Sequence, residues 1–170
     1  MEKESLLKHL QTGRTKLYCV LDGASVPQLP RRLYDTQAPN FCLFTGDLAP
    51  DMLYVAPYLV YLSPNNQFTE WVISEGFGKH WGIFAHSLRS IKEMRRHFRS
   101  MVNVYDENAR SLVFRFYDPR VLRKYLPTCN SEELSMFFGS VDGYFAESDD
   151  ANALVEYRIA DNTLKQSELN

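Results

Sequence analysis

The chain has 170 residues, of which 45% are hydrophobic and 24% are charged, a composition that indicates a folded domain and excludes wholesale disorder. Its formal net charge is −2, so no overall positive field draws the chain to nucleic acid or anionic lipid. The three cysteines, Cys19, Cys42 and Cys129, lie far apart without a CxxC pair, which argues against a disulfide framework and a zinc site.

The first third of the chain predicts two helix and strand pairs. Leu6, Leu7 and Leu10 lie at helical spacing, and Gly13 closes that helix. The next apolar run has the length and the β-branched and aromatic content of a buried strand. In chain order the predicted elements are a helix at 4–11, a strand at 16–21, a helix at 27–35 and a strand at 41–44.

The middle of the chain continues the alternation. Pro57 suits the first residue of a strand, where its missing N–H costs least. Gly76 falls where a left-handed residue ends a helix, and Ser87 or Ser90 can cap the next helix, the latter with Glu93 three residues on. The predicted elements are a strand at 56–62, a helix at 66–75, a strand at 80–85 and an amphipathic helix at 87–99.

The last third predicts two hairpins around two capped helices. Asp118 and Pro119 have the residue types favoured at the first two positions of a helix, and Asn130 with Glu133 forms a capping box for a helix that Gly139 ends. Strands are predicted at 101–105, 112–117, 141–146 and 154–159, and the polar end at 161–170 is expected to be frayed.

This alternation predicts an α/β fold: a mixed β-sheet with packed helices, including antiparallel hairpins, in a single domain. Aromatic residues make up 14% of the chain, more than a core of this size needs. Some are therefore expected to line a contact surface, where Tyr and Trp are favoured. Residues 1–5 lack a targeting pattern and charges interrupt every apolar stretch, so a cytoplasmic location is expected.

Catalytic or metal chemistry has weak support. Gly-Phe-Gly-Lys at 76–79 resembles part of a phosphate loop, but a helix precedes it and His80 stands where Ser or Thr would follow. A glycine-capped helix end is favoured there. No histidine sits in an HxH or HExxH pattern, so no metal site, cofactor or catalytic residue is predicted. A Cys–His nucleophilic pair stays open, because such pairs assemble in space.

The helix at 87–99 predicts a basic face. Its cations are Arg89, Lys92, Arg95, Arg96 and Arg99. A solvated face is the favoured interpretation, and among functional ones an acidic protein surface fits better than nucleic acid or a membrane. On this interpretation, reversing the charges of Arg96 and Arg99 leaves the fold intact.

A second polar group, Arg115, Asp118 and Arg120, interrupts an otherwise apolar stretch. An arginine in the middle of a strand requires a carboxylate, and Asp118 is close enough to supply one or to cap the next helix. A structural network is favoured over a binding site, and both interpretations stay open.

Five short segments, in order, resemble the effector-adaptor (chaperone) proteins of bacterial type VI secretion, formerly a domain of unknown function. The segments are Leu-Asp-Gly-Ala at 21–24, Cys-Leu-Phe at 42–44, Ala-Pro-Tyr-Leu-Val at 56–60, Trp-Gly-Ile at 81–83 with Ser87 and Leu88, and Phe-Arg-Phe-Tyr-Asp-Pro-Arg at 114–120. The residues that match the family pattern are Asp22, Pro57, Arg115, Asp118, Pro119 and Arg120.

The resemblance covers about residues 15–127. It implies that these residues form the adaptor-family α/β domain, and residues 1–14 are expected to form a leading helix before it. The resemblance also implies that residues 128–170 are a variable C-terminal region, which is expected to pack on the same domain. The family resemblance implies that the chain is not an enzyme. It implies a protein that binds a toxic effector and helps to load it onto the VgrG spike. The implied partners are an effector protein and VgrG, without nucleic acid or membrane.

The partner-binding candidates are therefore Arg89, Lys92, Arg96, Arg99, Arg115, Asp118 and Arg120. Two alternatives remain. A small-molecule or nucleotide-binding enzyme would use the loop near Lys79, and an anionic-surface binder would use the basic helix.

Overall fold

The computed structural model describes residues 3–11 and 13–169. Its helices are α1 (Lys3–Leu10), α2 (Leu29–Thr36), α3 (Met52–Val55), α4 (Gln67–Glu75), α5 (Ile91–Val102), α6 (Pro119–Tyr125) and α7 (Ser131–Phe138), with a 3₁₀ turn at Leu126–Thr128. Its strands are β1 (Lys16–Asp22), β2 (Asn40–Cys42), β3 (Pro57–Tyr61), β4 (Gly82–Ser87), β5 (Asn103–Tyr105), β6 (Ser111–Val113), β7 (Gly143–Glu147), β8 (Leu154–Ala160) and β9 (Thr163–Leu169).

Seven of these strands form one sheet in the order β2-β3-β1-β4-β7-β8-β9, and β5 pairs with β6 in a separate ribbon. Neighbouring strands in both sheets run antiparallel. The predicted α/β class, with packed helices and hairpins in a single domain, is confirmed, and the pairing is more uniformly antiparallel than a mixed sheet implies.

Helices cover both faces of the sheet because side chains alternate along each strand. Leu17, Cys19 and Leu21 of β1 pack in one core with residues of α1, α2 and α4. Tyr18 and Val20 pack in the other core with residues of α5, α6 and α7. Burial on both faces explains the near-continuous apolar run that β1 shows in sequence.

The C-terminal part of the chain completes the sheet. Strand β7 pairs with β4, and β8 and β9 extend the sheet from there. The expectation that residues 161–170 are frayed is wrong for residues 161–169. Asp161 and Asn162 adopt positive φ angles of 51° and 57°, the conformation of a tight hairpin turn, and β9 pairs with β8 along its length.

Several predicted boundaries move. Helix α5 begins at Ile91 with the Ser90–Glu93 capping box, so Arg89 precedes the helix. Strand β6 ends at Val113, which puts Arg115 in a loop. Gly76 is right-handed, with φ −84°, so the predicted left-handed helix end there is wrong, and the positive φ falls at Gly78 and His80.

The predicted leading segment, 1–14, includes residues 1, 2 and 12 and the side chain of Leu7, which lie outside the described residues. Leu6 and Leu10 of α1 are buried as their spacing predicts. Among the described residues, no helix is long and apolar enough to cross a membrane.

Candidate functional site

Asp22 ends β1 with its carboxylate almost fully buried. Oδ1 accepts a hydrogen bond from Ala24 N at 3.1 Å, and Oδ2 accepts one from Ser25 Oγ at 2.9 Å. Arg115 Nη2 donates to the same Oδ2 at 2.5 Å from 93 positions away in sequence. Asp22 therefore fixes the turn after β1 and holds the loop that follows β6.

Arg115 also lies beside Asp118, with Nη2 3.6 Å from Asp118 Oδ2. Asp118 caps α6 through Arg120 N at 3.0 Å, and the Arg120 guanidinium binds it with Nε–Oδ1 3.0 Å and Nη2–Oδ2 2.8 Å. Asp22, Arg115, Asp118 and Arg120, here called the carboxylate–arginine cluster, thus pair two buried carboxylates with two arginines whose side chains are 46% and 55% exposed.

The electrostatics of the cluster follow from this arrangement. Burial works to raise the pKa of Asp118, but the hydrogen bonds and charge of Arg120, with the charge of Arg115, outweigh it and lower that pKa. Burial, with the nearby Asp22 carboxylate, raises the pKa of Tyr117 to about 12. Both carboxylates have cationic partners, and the half-exposed guanidinium groups present positive charge to solvent.

An exposed apolar turn lies beside the cluster. Gly23 N donates to Ala56 O at 3.0 Å, and a Cβ on Gly23 would lie 2.8 Å from Tyr54 O. This contact places the short helix α3 against the end of β1. All four residues of the α3 turn, Met52–Val55, have exposed side chains.

The cations of the basic helix divide into two groups. Arg89, Lys92 and Arg96 are exposed, and Arg89 pairs with Glu93 at 3.7 Å. Arg99 instead donates to Cys42 O at 2.9 Å and Phe44 O at 3.2 Å, and the Arg95 guanidinium stacks over the Phe41 ring at 4.6 Å. The expectation that Arg95 and Arg99 belong to a solvated face is wrong, because both hold β2 and the residues after it.

The expectation that reversing Arg99 spares the fold is revised accordingly. We expect Arg99→Glu to lower the free energy of unfolding by about 2–3 kcal/mol, because two carbonyls lose a charged donor. Arg96→Glu, its exposed neighbour on the same helix, should change it by less than about 0.5 kcal/mol. Urea unfolding of both variants measures the difference, and equal stabilities would show that the Arg99 contacts are unimportant.

The sequence candidates therefore fall into two places. Arg115, Asp118 and Arg120 meet at the end of β1. Lys92 and Arg96 lie along α5 and Arg89 just before it, whereas Arg99 donates to the Cys42 carbonyl of β2. No hydrogen bond or ion pair within residues 3–11 and 13–169 joins the exposed α5 cations to the cluster.

The loop at 76–80 binds a side chain of the chain itself. Gly78 N donates to Glu147 Oε1 at 2.9 Å and His80 N to Oε2 at 3.2 Å. His80 Nδ1 lies 2.9 Å from Oε2 without hydrogen-bond geometry. Burial raises the pKa of Glu147 despite these contacts. A carboxylate occupies the N–H groups that a phosphate would need, and the cavity beside Trp81 has only about 10 Å³.

The cysteines and two of the histidines lie in packed surroundings. Burial raises the pKa of the thiols of Cys19, Cys42 and Cys129, the opposite of the change that activates a nucleophilic cysteine. His86 Nε2 donates to Leu10 O at 2.6 Å and His97 Nε2 lies 3.0 Å from Phe137 O. No three His, Cys, Asp or Glu residues of the described chain group as metal ligands would.

Burial lowers the pKa of both His86 and His97, which predicts acid sensitivity. Below the unfolded-state histidine pKa of about 6.5, the unfolded chain takes up protons on these imidazoles before the folded chain does. The stability that depends on neutral His86 and His97 is therefore complete above about pH 6.5 and is lost as pH falls. Urea unfolding of the wild type at neutral and mildly acidic pH should show the loss. In His86→Gln, which keeps an N–H for Leu10, the loss should be smaller, and an identical pH dependence would contradict the assignment.

The sequence patterns missed an exposed apolar surface. The ribbon formed by β5 and β6 exposes Val104, Tyr105, Leu112 and Val113. Its strands were recognisable, but each has only three residues, and within the described part of the chain neither pairs with a third strand. The sequence predicts that the strands at 101–105 and 112–117 pair with each other, but no local pattern shows that this pair stands apart from the main sheet.

The comparisons with known proteins give one match. The model of a family described as a domain of unknown function (DUF4123) matches residues 17–136. No curated protein and no solved structure matches the chain significantly. The matched region includes every residue of the carboxylate–arginine cluster and the whole ribbon.

Proposed function

This chain belongs to the DUF4123 family, and on that premise we propose that it is a type VI secretion effector adaptor. It binds a cognate effector and assists the loading of that effector onto the VgrG spike. The proposal also draws on the resemblance of the five ordered segments to such adaptors.

One observation carries the proposal: the carboxylate–arginine cluster adjoins two exposed apolar elements, the α3 turn and the ribbon. The α3 turn contacts Gly23, next to Asp22, and the ribbon leads through Phe114 directly to Arg115. The two arginines of the cluster are half exposed. Arg and aromatic anchors of this kind dominate protein–protein binding energy.

The adaptor acts by docking and not by bond-making. The raised pKa of each thiol and the carboxylate seated in the 76–80 loop support this part of the proposal. The nucleotide-enzyme alternative depended on that loop. A thermal-shift screen with nucleotides and divalent metals tests it, because binding at a real site would raise the melting temperature.

The direct test is affinity capture of the full chain co-expressed with the effector and spike proteins encoded beside its gene. Wild type should capture one or both, and Arg120→Glu should capture markedly less, since it reverses a half-exposed charge of the carboxylate–arginine cluster. Lys165→Glu reverses an exposed charge on β9 and is the matched control. If wild type captures neither protein, the proposed function is wrong.

A further inference from the structure

The ribbon overhangs a groove. Val104 pairs with Leu112, so both side chains lie on the same face of the ribbon. Beneath that face is a depression of about 280 Å³, lined mainly by Met101, Val104, Phe114, Tyr125, Met136 and Phe137. Its residues come from α5, the ribbon, α6 and α7, so the complete fold is needed to form it.

A second depression, of about 490 Å³, lies on the other side of two shared residues, Phe114 and Tyr125. Their rings pack edge to face with centroids 4.8 Å apart. Val121, Arg120 and Lys124 line this second part. The two depressions, here called the ribbon groove, therefore adjoin each other across the Phe114 and Tyr125 rings.

Two apolar side chains that line the ribbon groove are open to solvent. Met136 is 67% exposed and Val104 38% exposed. Methionine side chains adapt their shape to an apolar partner. A two-stranded ribbon alone is marginally stable in water, so an occupant that packs against it would also stabilise it.

The acidic and basic side chains around the groove differ in how far they are already bound within the chain. Glu133 Oε2 accepts the Asn130 backbone N–H at 2.8 Å in the cap of α7, and both oxygens of Asp118 bind Arg120. The carboxylates are thus engaged within the chain. Arg120 keeps more than half of its side chain exposed, and Lys124 is exposed in the same depression, so the charge offered to a partner at that end of the groove is positive.

We propose that the ribbon groove binds an extended or helical segment of a partner protein that carries Asp or Glu beside its apolar side chains. The apolar residues pack against Phe114, Tyr125 and Met136, and the carboxylates pair with Arg120 and Lys124. This inference rests on the proposed adaptor function and names the surface and the partner chemistry.

The test is selection of a phage-displayed library of random peptides against the full chain. Enriched peptides should combine apolar residues with Asp or Glu. Met136→Glu and Lys124→Glu should each weaken their binding about tenfold or more. There are two matched controls, Leu88→Glu at an exposed apolar position directly after β4 and Lys165→Glu on β9. Both should leave binding unchanged. Far-ultraviolet circular dichroism confirms that all four variants are folded.

Methyl resonances locate the binding independently. With ε-methyl-labelled methionine, the enriched peptides should shift the signals of Met136 and Met101 and leave the buried Met94 in place. Failure to enrich peptides, enrichment without acidic residues, or binding that Met136→Glu does not weaken would overturn the proposal.

Two further outcomes separate this inference from its premise. If wild type and Met136→Glu capture the effector and spike proteins equally, the ribbon groove is not the site although the adaptor function stands. If the chain dimerises in light scattering and Met136→Glu makes it monomeric, a second copy occupies the groove and the proposal is wrong.

Discussion

Replacing Arg115 by alanine is expected to lower the free energy of unfolding by about 2–3 kcal/mol. Arg115 holds Asp22, whose side chain is 3% exposed, at 2.5 Å, and lies 3.6 Å from Asp118, which is also buried. Without the guanidinium, the buried carboxylates of Asp22 and Asp118 lose one of the cations that compensate their negative charge. The loss stays below that of a fully buried pair because water reaches Arg115.

Arg120→Ala is the matched control, since Arg120 binds the same Asp118 from a side chain that is 55% exposed. Its loss should stay within about 1 kcal/mol. Urea unfolding gives both values, and affinity capture shows whether Arg120→Ala loses partner binding while remaining folded. Equal and small losses in the two variants would contradict an architectural role for Arg115.

Gly82→Ala should destabilise the chain by about 3 kcal/mol or more. A Cβ on Gly82 would lie 2.1 Å from Val20 O and 3.0 Å from Leu21 Cα, both backbone atoms of the adjacent strand. Neither atom can move without separating β1 from β4 in the middle of the sheet. The Asp22 N to Trp81 O hydrogen bond of 2.8 Å would be strained with it, and so would the position of the cluster.

Gly143→Ala provides the comparison, because the nearest atoms to its Cβ would be side-chain atoms of Arg158, at 3.6 Å. Alanine should change stability there by less than about 1 kcal/mol, and the reduced freedom of the unfolded chain favours the variant. Thermal and urea unfolding of the two variants check the prediction. A Gly82→Ala protein as stable as Gly143→Ala would show that the sheet tolerates the contact.

Local signals in the sequence predicted most of the helices and strands. The caps at Ser90 and Glu93, at Asp118 and Pro119, and at Asn130 and Glu133 are all present. Each depends on residues three or fewer positions apart, so a short stretch of sequence contains all the required chemistry. Strand β9 escaped prediction because it is polar on both faces, and its pairing depends on β8.

The candidate site was predictable only in part. The pairing of Asp118 with Arg115 and Arg120 follows from closeness in sequence, and both contacts are present. The contact of Arg115 with Asp22 joins positions 93 residues apart, and no local pattern specifies it. No local pattern specifies the hydrogen bonds of Glu147 with the 76–80 loop either, or those of Arg99 with the carbonyls of Cys42 and Phe44.

The amino-acid sequence by itself therefore determined the α/β class, the buried central strand and the capped helices, because periodicity and capping act over a few neighbouring residues. Only the tertiary structure decided which arginines face solvent and which hold the backbone. It also decided that the ribbon stands apart from the sheet above an apolar groove. Those outcomes depend on strand register and on how helices pack on the sheet, which bring together residues that are distant in the chain.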